Sequence, residues 1–135
     1  MGQSTNSSTV SQGIRIQAAA QFLPSESDPD RGRFIFVYRI RISNDSDRTA
    51  QLMARHWVII DGNGRREDVR GEGVVGKQPI LSPGETFEYT SYCPMRTEWG
   101  TMEGAFSFID ELGEPFDAAV GRFYMATSTE NVILS

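Results

Sequence analysis

The segment Gly71-Glu72-Gly73-Val74-Val75-Gly76 has the spacing of a dinucleotide-binding fingerprint. In that fingerprint the glycines let a tight turn bring backbone amides against a pyrophosphate, and a helix starting there adds a favourable dipole. Here Lys77-Gln78-Pro79 follows at once and Ser82-Pro83-Gly84 soon after, so no helix can begin where one is needed. Two readings remain. One is a tight β-loop or bulge whose positive φ angles suit glycine. The other is a concave anion nest of successive amides, which needs no helix. For the nest, Gly71, Gly73 and Gly76 are flanked by Arg65, Arg66, Arg70 and Lys77, the last being the only lysine in the chain. Its expected ligand is a phosphate, a pyrophosphate or a partner's carboxylate.

Nucleophilic catalysis needs a nucleophile, a base and a group that orients the base. The chain has one histidine, His56, and one cysteine, Cys93, which precedes Pro94. A Cys93 and His56 dyad is conceivable, but a structural cysteine and a hydrogen-bonded strand histidine are the preferred reading. Thr90, Ser91 and Tyr92 lack the glycines of a nucleophile elbow. Zinc takes three or four Cys, His or carboxylate ligands, and this inventory falls short of any such spacing. Asp110, Glu111, Glu114 and Asp117 cluster around a turn and could offer oxygen to a hard cation, with a solvated hairpin as the plainer alternative. No cofactor and no metal site are expected. For a partner, Arg96-Thr97-Glu98-Trp99-Gly100 reads as a polar loop carrying an aromatic beside an arginine. Trp99 and Arg96 therefore suit a binding hot spot, against the alternative of an apolar plug under the loop.

The elements that must hold these residues follow a period of two. Phe34, Phe36, Tyr38, Ile40 and Ile42 alternate with a second set that becomes polar, which predicts a long strand. Leu52 to Ile60 alternates likewise, with Trp57 and Ile59 competing against Val58 and Ile60 for the inner face. Asn44-Asp45-Ser46-Asp47 supplies a turn between the two runs, so a hairpin is expected. Further strands are predicted over Ile14 to Phe22, Phe87 to Tyr92, Met102 to Ile109 and Phe116 to Met125, with a short one around Asp68 to Arg70. Turns fall at Asp61-Gly62-Asn63-Gly64, Ser82-Pro83-Gly84 and Glu111 to Pro115. Apolar residues nowhere recur at helical spacing, so almost no helix is expected. About seven such strands predict an all-β fold, an antiparallel sandwich of the immunoglobulin or fibronectin type III kind.

At 135 residues the chain suits one domain able to form a core without disulfides. The expected organisation is a flexible tail over 1–13, rich in Ser, Thr, Asn and Gln, a sandwich over 14–126, and a second tail over 127–135. A lone cysteine cannot form an internal disulfide and points to a reducing cytoplasm. Neither a secretion signal, a myristoylation site nor a bilayer-spanning run is legible. The formal net charge of -5 argues against nucleic acid, whose binding relies on cations that neutralise phosphates.

Several motifs occur in one order: Gln51-Leu52, Arg55-His56-Trp57, Gly71 to Gly76, Gln78-Pro79, Pro83-Gly84, Tyr89-Thr90-Ser91, then Gly100, Met102 and Gly104. Together they resemble the ApaG family over roughly Ile14 to Met125. Tyr92 stands where that family usually has glycine, and Phe106 where it commonly has tyrosine. The resemblance implies a fibronectin-type sandwich, found alone in bacteria and within F-box and DNA-polymerase-interacting proteins of eukaryotes. It also implies an association with cobalt and magnesium resistance or efflux that carries no mechanism. Leu81 to Phe87 is similar to the corner where a tyrosine hydroxyl anchors a sheet crossing, but Phe87 has no hydroxyl.

The expected function is that of a non-enzymatic module mediating protein-protein interaction through Arg65 to Lys77 and Arg96 to Gly100. The alternative is a weak anion or nucleotide binder using residues 71–76. A hydrolase of phosphate compounds comes third, for want of a base or metal cage. The partner is expected to be another protein, with no nucleic acid or membrane, and edge strands allow pairing of two copies.

Overall fold

Alternating side chains build nine strands across residues 4–127, the part of the chain that this computed structural model describes. They are β1 (Asn6–Ser11), β2 (Ile14–Phe22), β3 (Phe34–Asn44), β4 (Ala50–Asp61), β5 (Arg66–Glu72), β6 (Ile80–Leu81), β7 (Thr86–Met95), β8 (Trp99–Asp110) and β9 (Pro115–Ala126). One sheet runs β1-β2-β3-β7; the other runs β5-β4-β8-β9, with β6 also against β4. Every pairing is antiparallel. Two single-turn 3-10 segments, Pro24–Glu26 and Pro29–Arg31, are the helical pieces among the described residues. The fold is thus the antiparallel β-sandwich that the period of two predicts, with β1 and β6 beyond the expected seven strands.

The inner faces form one apolar cluster in which Phe36, Ile40 and Ile42 of β3 join Leu52, Phe106, Phe108 and Phe123 of the other sheet. Trp57 lies at its centre, with its ring edge-on to Tyr38, Phe106 and Phe123 at centroid distances of 5.6, 5.6 and 6.2 Å. Edge-to-face pairs of this kind each stabilise by about 0.5–1.5 kcal/mol beyond the area they bury. The competition along β4 has a structural origin. Ala50 and Leu52 point inward, Met53 is an extra residue opposite β8, and beyond it Trp57 and Ile59 take the inner side. A bulge reverses the parity of a strand, so each half alternates correctly but the two halves disagree.

The predicted hairpin of the Phe34 and Leu52 runs does not form. β3 pairs with β2 and β7, while β4 lies in the other sheet. Asn44-Asp45-Ser46-Asp47 is instead the start of a crossing between sheets, organised by the fully buried Asn44. Its side-chain amide donates to the carbonyls of Arg48 and Leu81 at 2.7 and 2.9 Å, and its Oδ1 accepts from Ser46. The Gly84 N–H also donates to the Asn44 carbonyl (2.7 Å). Asn44 thereby supplies an anchor that Phe87 cannot. A turn residue and a crossing residue look alike in sequence because both satisfy backbone groups locally.

The flexible tail expected over 1–13 is also corrected: Asn6–Ser11 is a strand in register with β2. It has no apolar alternation because its odd side chains bond to backbone. Ser7 and Thr9 hydroxyls donate to the carbonyls of Gly121 and Ala119 (2.7 and 2.5 Å), and Ser11 Oγ accepts from the Ala119 N–H (3.1 Å). These bonds stitch β1 to β9 and close one side of the sandwich. Most of the tail expected over 127–135 lies outside the described residues. On the other side, β7 and β5 are edges.

Candidate functional site

The glycine motif is a tight hairpin turn. β5 ends at Glu72, and Val74 and Lys77 face each other across Val75 and Gly76, whose φ angles are +44° and +78°. Positive φ at both central residues is the geometry that two-residue hairpin loops favour. Gly73, at φ +61°, is obligatory for a second reason, since a Cβ there would overlap the Lys77 carbonyl. Val74 is fully buried and plugs the apolar cluster from below.

The polar groups of this turn are turned toward the chain itself. The Gly73 N–H donates to the Met53 carbonyl (2.9 Å), and Val74 and Lys77 exchange N–H bonds at 2.8 and 2.9 Å. Arg55 approaches from β4, and its Nη1 donates to the carbonyls of both Glu72 and Gly73 at 2.9 Å. What the motif presents to the interior is therefore carbonyl oxygen facing a guanidinium. The amides of Gly73, Val74 and Lys77 are already engaged. Arg55 stood in the family motif without a role; with the parity change at Met53 it occupies an inward position beside this turn.

Arg70 and Lys77 border the motif, whereas Arg65 and Arg66 lie at the far end of β5 from it. β5 separates Arg66 from Gly73 by seven residues, roughly 20 Å of extended chain. Arg66 is bound to Asp68 (2.7 Å), and Asp68 also meets His56 Nε2 (2.8 Å) and, more distantly, Arg70 (4.0 Å). Hydrogen bonds from Arg66 first, then His56, hold the Asp68 carboxyl well below the usual carboxylate range.

The two loops singled out for partner binding do meet. Arg65, Arg66 and Arg96 line one groove of about 370 Å³ together with Asp61, Glu67, Ile59, Pro94 and Met95. Arg96 also borders a second hollow of about 360 Å³ with Phe34, Gly62 and Trp99. Trp99 is 45% exposed. Its ring stacks on Tyr124 at 6.1 Å and 13°, and its indole lies so close over Gly62 that a Cβ there would stand 2.8 Å from Nε1. Thr97 fixes the loop, with its Oγ1 donating to the Trp99 carbonyl (2.6 Å) and accepting from the Gly62 N–H (2.9 Å). The result is an aromatic shelf held by Tyr124 and Thr97 beside Arg96, which in turn shares the neighbouring groove with Arg65.

The alternative chemistries are not assembled. Cys93 faces the apolar cluster from β7, where burial pushes its thiol up to about 12. His56, on β4 in the opposite sheet, bonds Asp68 on the outer face. Asp110 is taken up by its own turn, accepting from the N–H groups of Leu112 and Glu114 at 2.9 and 3.0 Å and pairing with Arg48. Glu111 accepts from the Thr49 N–H (2.7 Å). Among the described residues no three His, Cys, Asp or Glu side chains converge as a metal site would require. Nor is there, among those residues, a helix long and apolar enough to cross a membrane.

Residues 24–110 match the ApaG domain family. This chain belongs to the ApaG family. Protein ApaG of Methylocella silvestris is 51% identical over 116 residues, covering 86% of this chain and 89% of that protein. Protein ApaG of Bdellovibrio bacteriovorus is 50% identical over 112 residues, 83% and 88% of the two chains. Among solved structures, a Bordetella pertussis chain described as an ApaA protein superposes with a TM-score of 0.82 at 40% identity, covering 92% of this chain and 96% of that one. The glycine turn lies within the matched ApaG domain, and the alignments span most of the length of those relatives.

Proposed function

We propose that this ApaG domain is a non-catalytic binding module that engages another protein through the surface formed by Trp99, Arg96 and Arg65. The observation that carries this reading is the half-exposed Trp99, held rigid by Tyr124 and Thr97 instead of collapsing into the core. A fixed aromatic loses little conformational freedom on binding, and aromatic and arginine side chains dominate interface energetics. Arg65 and Arg96 share their groove with Asp61 and Glu67 beside Ile59, Pro94 and Met95, which suits a partner segment carrying charged residues next to an apolar one. Buried Cys93 agrees with a reducing cytoplasm. The family's association with cobalt and magnesium is read as indirect, because Asp110 and Glu111 are taken up by backbone N–H groups and Arg48, and the four carboxylates do not converge.

The test is enrichment of partners on the immobilised full-length chain from its native cells, comparing wild type with Trp99→Ala and Arg96→Glu. Both variants should keep the wild-type melting temperature within a few degrees and lose the same enriched protein. Enrichment unchanged by either variant, or a Trp99→Ala chain that no longer folds, would remove the reading.

A further inference from the structure

The free edge of β5 carries a charge pattern that matches itself in reverse. β5 pairs with β4 and with no other strand among the described residues. The Asp61 N–H donates to the Arg65 carbonyl and the Gly73 N–H to the Met53 carbonyl, so the odd positions of this strand bond to β4. Alternation then turns the N–H and C=O groups of Arg66, Asp68, Arg70 and Glu72 toward the open edge. The side chains of those four residues share the outer face with His56 and read plus, minus, plus, minus.

We propose that two copies of this chain pair antiparallel through β5, about a two-fold axis at Val69. In that register Arg66 stands opposite Glu72 of the second copy and Asp68 opposite Arg70, so all four facing pairs on the outer side are oppositely charged. The four outward-pointing residues are also the ones that meet as hydrogen-bonded pairs, so the backbone pattern and the charge pattern select the same register. Slipping by two residues in one direction places Asp68 opposite itself and Arg66 opposite Arg70. Slipping the other way places Arg70 opposite itself and Asp68 opposite Glu72. Opposite charges stabilise cross-strand pairs and like charges directly opposed destabilise them, so one register is favoured and its neighbours are penalised. Asp68 is already oriented by Arg66 and His56, which fixes its carboxylate where the second copy's arginine arrives. The Glu72 carbonyl accepts from Arg55 and keeps a second lone pair for the new strand. The other edges are unsuited: β1 and β9 are stitched together, and Pro94 removes a donor from β7. An isologous contact of this kind closes on itself and leaves Trp99 and Arg96, which lie outside β5, to a different partner.

Sedimentation of the full chain over micromolar to millimolar concentrations should show a species of twice 15.1 kDa. Glu72→Arg opposes two arginines on each side of the axis and should raise the dimer dissociation constant roughly tenfold or more. Arg66→Glu in the same chain restores opposite charges and should restore the dimer. The register is read separately by oxidising Val69→Cys. Its two copies would stand about 4.5 Å apart at Cα, within reach of a disulfide, whereas Glu67→Cys copies would lie about 13 Å apart along the strands. A monomer throughout the range, a dimer indifferent to Glu72→Arg, failure of the double exchange to restore it, or equal cross-linking at both cysteines would each overturn the proposal.

Discussion

The two ends of β5 make opposite use of the same residue types. At the Glu72 end, glycines, amides and an arginine are consumed by one another: the turn closes on Lys77, Arg55 caps its carbonyls and Val74 fills the core. At the Arg66 end, a glycine turn of similar composition holds an indole in the open, with arginines around a groove. The first has the more conspicuous motif and the second has the more available surface. Motif spacing records what backbone conformation requires, whereas binding depends on which groups remain unengaged once that conformation is formed.

The largest test of this contrast is Gly73→Val. A branched side chain at φ +61° strains the backbone and meets the Lys77 carbonyl, and strained positions of this sort cost about 1–3 kcal/mol before the overlap is counted. Urea unfolding should show a loss at the upper end of that range or beyond. A change below about 0.5 kcal/mol, the level of a surface substitution, would mean that the turn is not structural. Next is Arg55→Ala, which uncaps the partly buried Gly73 carbonyl and the exposed Glu72 carbonyl and should destabilise by about 1–2 kcal/mol, measured by the same urea unfolding.

A smaller effect is expected from pH at the other end of β5. Asp68 is held in the charged form more strongly in the folded chain than in the unfolded one. Its contribution is thus complete above the ordinary carboxylate pKa of about 3.9 and is lost as pH falls below it toward the depressed folded value. Asp68→Asn should therefore flatten the acid limb of the unfolding curve while changing its slope little above pH 6, a limit set by roughly two units from that pKa; an unchanged acid limb would contradict the geometry. The smallest expected effect is none at all: pyrophosphate should not shift the amide signals of Gly71 to Lys77. A saturable shift there would restore the anion nest as a working site.

Much of the architecture could be read in advance because burial in a sheet imposes a period of two on neighbouring side chains. β3, β7, β8 and β9 announce themselves in this way. β1 did not, since its hydroxyls bond to β9 instead of burying carbon, and polar alternation resembles a tail. The inner face of β4 was ambiguous because the bulge at Met53 is invisible until β8 is placed beside it. Of the candidate site, the exposure of Trp99 on its loop could be expected from the polar residues around it, while the part played by Arg55 depends on a strand parity that only pairing reveals.

By itself the sequence determined the fold class, the glycine turns around 61–64, 82–84 and 111–115, the lone thiol and the family, all of which follow from local residue types and their order. Only the tertiary structure decided that β3 and β4 part into different sheets, that Arg65 joins Arg96 instead of Lys77, and that the glycine turn faces its own arginine. Those outcomes depend on contacts between residues far apart in the chain, and no local preference specifies which distant backbone group will satisfy a given donor.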